Sequence, residues 1–493
     1  MGQKFRNVPA PSRIRRVSER LASRTLRNSV LVVGARALAK IAIFIVVALL
    51  LRYLTTDQYG RFAAMIVYVT LIGVVADLGL QTVFVRDASR DRDVFTRYLS
   101  NLLASRLLFS IAALVLLAAV LRLLSPSLFP YTIAGFVLLL TTSYSSLLRA
   151  VFYIRGRLIY EAVAIVAESA IVLVLAIIAI QRHATWDTFL WVYSASYLFT
   201  SLLALAVLRW RWRETIRLRL EPSFVRALLS AGIPLALGFT ITAVYAQVDV
   251  VVLQLIKGFQ MVGWYSAANR YIDAVAWVPQ SAMGAVFPAL AIVAAGQRRQ
   301  LAFAFEKSYK MLALIGLPLA VGIAVLAAPL MRLLAPDGHL DPSIPALQFL
   351  APSVFLLFVN NAFIYTLTAI NRQLDFTRLS LLTLAVNLAL NLLLIPAFGY
   401  RGAAVSSTLT ELALFAGGWW LLAQQQLRLP VIGGIGRVIL SAAIMGVVLF
   451  PIRLWPLLFD VLIAAGVYAA ALLALRAIDA EELSIVRAGL TRG

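Results

Sequence analysis

The chain has 493 residues, 62% of them hydrophobic and 13% charged, with a mean hydropathy of +0.90. Too little polar surface is available for a soluble globular protein of this size, and the long apolar runs lack the two-residue alternation of a membrane barrel, so the class is an all-α polytopic membrane protein. The net charge of +22 is spread over alternate short loops, which excludes nucleic acid as the partner, and the lack of cysteine excludes disulfides, thiol chemistry and a cysteine-bound metal.

Residues 1–27 are basic and contain no apolar core, so they read as a cytoplasmic arm and not as a cleavable signal. Apolar runs of spanning length follow at 28–52, 60–83, 98–122, 131–154, 160–180 and 187–208, which together form an N-terminal six-helix lobe over 28–208. Next comes RWRWRETIRLRLEPSFVR (209–226), a basic amphipathic linker. A second six-helix lobe over 227–424 contains the runs 227–256, 263–288, 305–328, 344–370, 378–396 and 402–424. Two additional helices, 434–451 and 456–476, and a tail over 477–493 complete a count of about fourteen spans. With the N-terminus inside, most of the Lys and Arg outside the spans fall on the inner face, which predicts that both termini are cytoplasmic. Weak internal similarity joins the halves: Gly60 and Phe62 align with Gly263 and Tyr265 at one constant offset.

Charges inside the spans are the candidate site residues, because an intramembrane cation costs roughly 2.5–3.5 kcal/mol on insertion scales. Arg36 and Lys40 lie near mid-depth of the first span, four residues apart and so on one face, with Ser29 on the same stripe. They are expected to face a watery cavity or a bound anion; the alternative is internal pairing with Glu168, which could satisfy only one of them. Arg106 in the third span is read in the same way, with pairing to Glu168 or reaching a helix end as the alternatives to a cavity role. In the seventh span Thr242, Tyr245 and Asp249 share a face, and in the eighth Ser266, Arg270, Asp273, Trp277 and Ser281 do. Matched depth predicts an Asp249–Arg270 pair, with Asp273 as the competing partner; otherwise Arg270 contacts substrate while Asp249 or Asp273 holds it or takes a coupling ion. Glu168 and Glu411 are mid-depth carboxylates, either structural or able to carry protons in low dielectric. The Asn387 and Asn391 stripe of the eleventh span reads as interhelical hydrogen bonding. His183 and His339 lie in outer turns without a ligand cluster, so neither a metal nor a cofactor is expected.

Three stretches together carry a resemblance to a family. They are LRYLTTDQYGRFA with VADLGLQTVFVRDASR (51–90), YAQVDVVVLQLIKGFQMVGWYSAANRY (245–271) and NLALNLLLIPAFGYRGAAVSSTLTE (387–411). In order and spacing they resemble the Wzx-type polysaccharide flippases, in the polysaccharide-transporter branch of the MATE-like multidrug/oligosaccharidyl-lipid/polysaccharide superfamily. The resemblance implies two lobes flanking a central cationic cavity that opens alternately inward and outward in the cell membrane. It implies a polyprenyl-diphosphate-linked oligosaccharide as substrate, moved from inner to outer leaflet, with H+ or Na+ as the coupling ion. Arg36, Lys40, Arg106 and Arg270 would then meet the diphosphate, and Glu168, Asp249, Asp273 and Glu411 would be the coupling or structural carboxylates.

The architecture is shared by multidrug or organic-cation antiporters and by peptidoglycan lipid-precursor flippases, so fold alone does not select the substrate. An acidic, aromatic cavity would favour the antiporter, whereas the first half here is cationic. A polymerase or integral glycosyltransferase is disfavoured because the longest outer turn, about 329–343, has no room for a catalytic domain.

Overall fold

The computed structural model describes residues 11–89, 94–214, 218–296, 298–427, 435–453 and 455–477, with side chains from residue 31 onward except 234, 235, 237–239 and 242. The basic arm before residue 11, the tail from 478 onward, and the side chains of Ser29 and Thr242 lie outside the described residues. The described residues contain no strand. The helices are α1 (Pro11–Tyr53), α2 (Thr56–Asp77), α3 (Leu80–Ala88), α4 (Phe95–Leu124), α5 (Thr132–Ile154), α6 (Leu158–Gln181), α7 (Thr188–Ala206) and α8 (Pro222–Lys257). They continue with α9 (Phe259–Ala294), α10 (Arg298–Val325), α11 (Ala327–Leu334), α12 (Ser343–Ala369), α13 (Gln373–Phe398), α14 (Tyr400–Gln424), α15 (Ile435–Ile452) and α16 (Leu457–Ala474).

All but α3 and α11 correspond to the fourteen expected spans. Among the described residues, twelve helices are long and apolar enough to cross a membrane by length and composition. The α14 helix, 25 residues long, is not one of them, because Glu411 and the hydroxyl residues Ser406, Ser407, Thr408 and Thr410 dilute its apolar residues.

The chain folds as two compact units whose limits differ from the six-plus-six division. The first comprises residues 1–46, 75–116 and 133–236, and the second 47–74, 117–132 and 237–493. The core of the first unit is built from Phe84, Phe95, Leu102, Leu148, Phe152 and Leu208, with Leu228 at the start of α8 packed into it. This explains why the first unit extends past the linker. Within it, Trp212 packs edge-on against Phe152 and Tyr160, and Glu214 bonds Arg155. The Glu221 carboxylate accepts from Arg97 and its backbone N–H donates to the Asn101 side-chain oxygen, so this part of the linker is held to the helix ends of its own unit. The Arg97 guanidinium holds the Glu221 carboxyl below its usual range.

In the second unit, Phe305, Tyr309, Phe363 and Phe415 form an aromatic core across α10, α12 and α14. The two last helices dock on α10: Val438 and Leu472 pack with Leu314 and Leu317, and the Tyr468 hydroxyl donates to the Leu314 carbonyl at 2.9 Å. The repeat signal also acquires a structural meaning here. A Cβ on Gly60 would lie 1.9 Å from the Phe259 carbonyl oxygen, and one on Gly263 would lie 2.1 Å from that of Thr56. Thr56 and Phe259 stand at the same offset as the two glycines, so α2 and α9 meet in a reciprocal contact that only glycine permits.

Candidate functional site: charges inside the spans

Helix α5 presents Ser145, Arg149 and Tyr153 four residues apart, and α6 presents Glu161 and Glu168 seven apart, so each set shares one face. Where these faces meet in the first unit, Arg149 grips Glu161 with both Nη2 (2.8 Å) and Nε (3.2 Å). Its Nη1 lies 3.6 Å from Glu168, which also receives the Thr200 hydroxyl of α7 at 2.9 Å and that of Ser145 at 3.5 Å. Tyr153 donates to Glu161 at 3.3 Å and accepts from Arg36 at 2.5 Å. A hydrogen-bonded chain thus runs from Arg36 of α1 through Tyr153 and Glu161 to Arg149, and an ion pair extends it to Glu168.

Glu161 in this chain is buried, Arg149 is partly exposed, and Arg36 is exposed. Lys40, one turn beyond Arg36, is exposed as well, whereas Val32, Ala39 and Val46 of the same helix are buried. Pairing with Glu168, the alternative to a cavity role for Arg36, does not form; Arg36 bonds the neutral Tyr153 hydroxyl. Glu168 takes Arg149 as its cation instead.

Arg106 goes elsewhere. It is only 3% exposed and bonds Asp77 at the end of α2, the Ser143 carbonyl, and Gln81. Neither a cavity nor Glu168 takes it; the guanidinium forms an internal pair at the end of another helix. Asp77 belongs to the DLGL stretch, where its chemistry could have been read from the lone acid in an apolar run.

In the second unit the expected Asp249–Arg270 pair does not form. Arg270 bonds the neighbouring Asp273 at 3.2 Å and the Tyr59 hydroxyl at 3.0 Å. Arg270 and Asp273 line a small polar cavity of about 60 Å³ with Ser266, Asn269 and Gln247. The i, i+3 geometry on one helix outcompetes a partner on the next helix because it needs no match of two helix rotations. Asp249 is buried and surrounded by neutral donors: Tyr265 (2.9 Å), Ser407 (2.6 Å) and Asn391 (2.6 Å). Asn391 also bonds Asn387, which reaches Thr410 of α14, so the stripe of α13 makes the interhelical bonds expected of it. Glu411 accepts from Tyr245 (2.8 Å) and Asn360 (2.7 Å) and lines a cavity of about 140 Å³ with Asn361, Ser380 and Thr383.

The turn after α11 places the His339 ring 2.6 Å from Asp337, and this contact lowers the Asp337 carboxyl from its usual range. No group of metal-ligating side chains occurs among the described residues.

Comparison with known proteins decides the family. Residues 25–293, more than half of the chain, match the family described as polysaccharide biosynthesis protein, and residues 234–393 match the MatE family. The chain belongs to the polysaccharide biosynthesis protein family. This places it among the Wzx-type flippases of the multidrug/oligosaccharidyl-lipid/polysaccharide superfamily, in agreement with the resemblance drawn from its motifs.

A protein of Escherichia coli (strain K12) named as a candidate O-antigen transporter is 24% identical over 220 residues, covering 44% of this chain and 52% of that protein. An uncharacterized membrane protein of Methanocaldococcus jannaschii is 24% identical over 200 residues, covering 40% of this chain and 39% of its own. The matches therefore span about half the length of these relatives or less. Among solved structures, the fold is similar to the lipid II flippase MurJ in an inward closed conformation, with TM-score 0.74 and 14% identity over 90% of this chain and 98% of that one. It is also similar to an inward-facing MATE family multidrug transporter, with TM-score 0.63 and 15% identity over 81% and 98%.

Proposed function

We propose that this polysaccharide-family transporter carries a polyprenyl-diphosphate-linked oligosaccharide from the inner to the outer leaflet of the cell membrane by alternating access, with both termini cytoplasmic. The observation that carries this reading is the exposure of Arg36 and Lys40 on one face of an otherwise apolar span. Hydrocarbon cannot solvate two cations there, whereas a diphosphate can accept charge-assisted hydrogen bonds from both, the arginine in a bidentate fork. The relative named for O-antigen transport supports the same substrate class.

Coupling to H+ or Na+ would fall to the second unit, where Asp249 and Glu411 are enclosed by neutral hydroxyl and amide groups, so that a bound cation would meet no competing guanidinium among these contacts. Binding, reorientation and release need no covalent step.

The test is flipping of a leaflet-labelled lipid-linked oligosaccharide by the purified protein in liposomes, run beside a fluorescent organic cation. Transport of the cation alone would replace this reading with the antiporter. Cysteines placed at Gln58, His183, Gln260 and His339 should react with an impermeant thiol reagent from outside, and one at Gly156 should not.

A further inference from the structure

Four charged side chains of α1, α5 and α6 joined by the contacts above, together with Lys40 one turn beyond Arg36, carry an imbalance that bears on how a headgroup is held. Arg36, Lys40 and Arg149 supply three cations and Glu161 and Glu168 two carboxylates, so the set has one net positive charge. A diphosphate esterified at both ends carries one negative charge on each phosphate. The set therefore falls one positive charge short of the ligand in a setting where unbalanced charge is costly.

We propose, building on the function above, that the diphosphate headgroup binds this set together with one proton, taken up on Glu168. The geometry selects Glu168 over Glu161. Arg149 holds Glu161 with two hydrogen bonds, and the Tyr153 hydroxyl adds a third. Glu168 stands 3.6 Å from the guanidinium, and its close contacts are hydroxyls, Thr200 at 2.9 Å and Ser145 at 3.5 Å. A hydroxyl that donates to a carboxylate can rotate and accept from a carboxylic acid, so protonation leaves these contacts satisfied. Arg149, by contrast, has no acceptor capacity and could not accommodate a proton on Glu161. The groups facing Glu168 are Arg149 and Ser145 from α5, Thr200 and Tyr197 from α7, and Glu161 from its own helix; Arg36 is linked through Tyr153.

Protonating Glu168 frees Arg149 from one of two competing carboxylates. The partly exposed guanidinium then acts as a third cation toward the headgroup. Arg149 becomes a substrate-positioning residue, and headgroup affinity becomes linked to proton uptake. No bond is made or broken except the O–H on Glu168, whose proton comes from solvent.

The experiment is calorimetric titration of the full-length protein in detergent with undecaprenyl-diphospho-N-acetylglucosamine, in two buffers of different ionisation enthalpy. The expected result is uptake of about one proton per ligand bound, with affinity falling by up to about tenfold per pH unit as pH rises above the titration of Glu168. Glu168→Gln should bind with no proton uptake and a flat pH profile. Glu161→Gln should also abolish uptake, because it too raises the net charge by one; this second variant keeps the test open if the first fails to fold. Binding by the native protein without proton uptake overturns the proposal while leaving the transported substrate intact. Undiminished uptake in Glu168→Gln overturns the assignment to Glu168. No binding of this ligand at any pH overturns the proposed substrate, and this inference with it.

Discussion

The two units handle buried charge in opposite ways. In the first, carboxylates meet guanidinium groups: Glu161 and Glu168 share Arg149, and Asp77 holds Arg106. In the second, the carboxylates Asp249 and Glu411 are held by tyrosine, serine and asparagine. A cation already paired can be handed to an anionic ligand when its partner is neutralised, whereas a carboxylate in a neutral cage can receive a small cation. One chain thus offers chemistry for an anionic headgroup in one place and for a coupling ion in another.

The first-unit side of this comparison is broken most completely by removing its exposed cations. Arg36→Gln with Lys40→Gln removes two charge-assisted contacts worth about 1.5–3 kcal/mol each, so transport should fall at least about a hundredfold. Folding should hold, because both side chains are exposed and their insertion penalty is lightened. Flipping in liposomes, normalised to folded protein, measures this, and full activity in the double variant removes the headgroup role. Arg36→Lys should be milder, since it retains charge without the planar fork.

Breaking the ion pairs tests whether they are structural. Arg149→Gln leaves Glu161, which is 1% exposed, without its cation, and should cost about 3–5 kcal/mol of stability. A melting temperature in detergent equal to that of the native protein would show that Glu161 had found another partner or had been neutralised at little cost.

How much of this was legible in the sequence depended on whether a feature needed one helix or two. Span positions followed from apolar length, and the bonding stripe of Asn387 and Asn391 from spacing on one helix. The reciprocal Gly60 and Gly263 contact was visible as an alignment of two glycines, but its meaning was not, because a carbonyl supplied by another segment closes each one. Arg149 was not singled out in the sequence, although the Ser145, Arg149 and Tyr153 stripe was available to mark it. Pairing across helices failed for a physical reason: equal depth fixes one coordinate, while contact also requires two helix rotations that only packing sets.

The glycine contact sharpens the description of the second unit. Gly60→Ala or Gly263→Ala places a Cβ about 2 Å from a backbone carbonyl oxygen that cannot rotate away, so each should cost about 1–3 kcal/mol. Gly73→Ala, with nothing within 4 Å of its added Cβ, should lie within about 0.5 kcal/mol of the native protein. Equal melting temperatures for all three variants would mean that the α2–α9 approach is not maintained in solution.

The smallest effect belongs to Arg270, and it separates the neutral cage of Asp249 from the ion pair that depth alone suggested. Asp249→Asn leaves the Tyr265 and Ser407 donors a weaker acceptor and should cost about 1–3 kcal/mol. Arg270→Ala removes a contact with Asp273 in which the side chains are 30% and 50% exposed, worth about 0–1 kcal/mol. Because the two residues belong to different hydrogen-bonded sets, the double variant should lose the sum of the single losses, within about 0.5 kcal/mol. A coupling energy of about 2 kcal/mol or more in that thermal cycle would restore the cross-helix pair. Additivity, together with loss of any ion dependence of transport in Asp249→Asn alone, would assign the second unit's coupling role to the caged carboxylate and leave Arg270 with Asp273 and Tyr59.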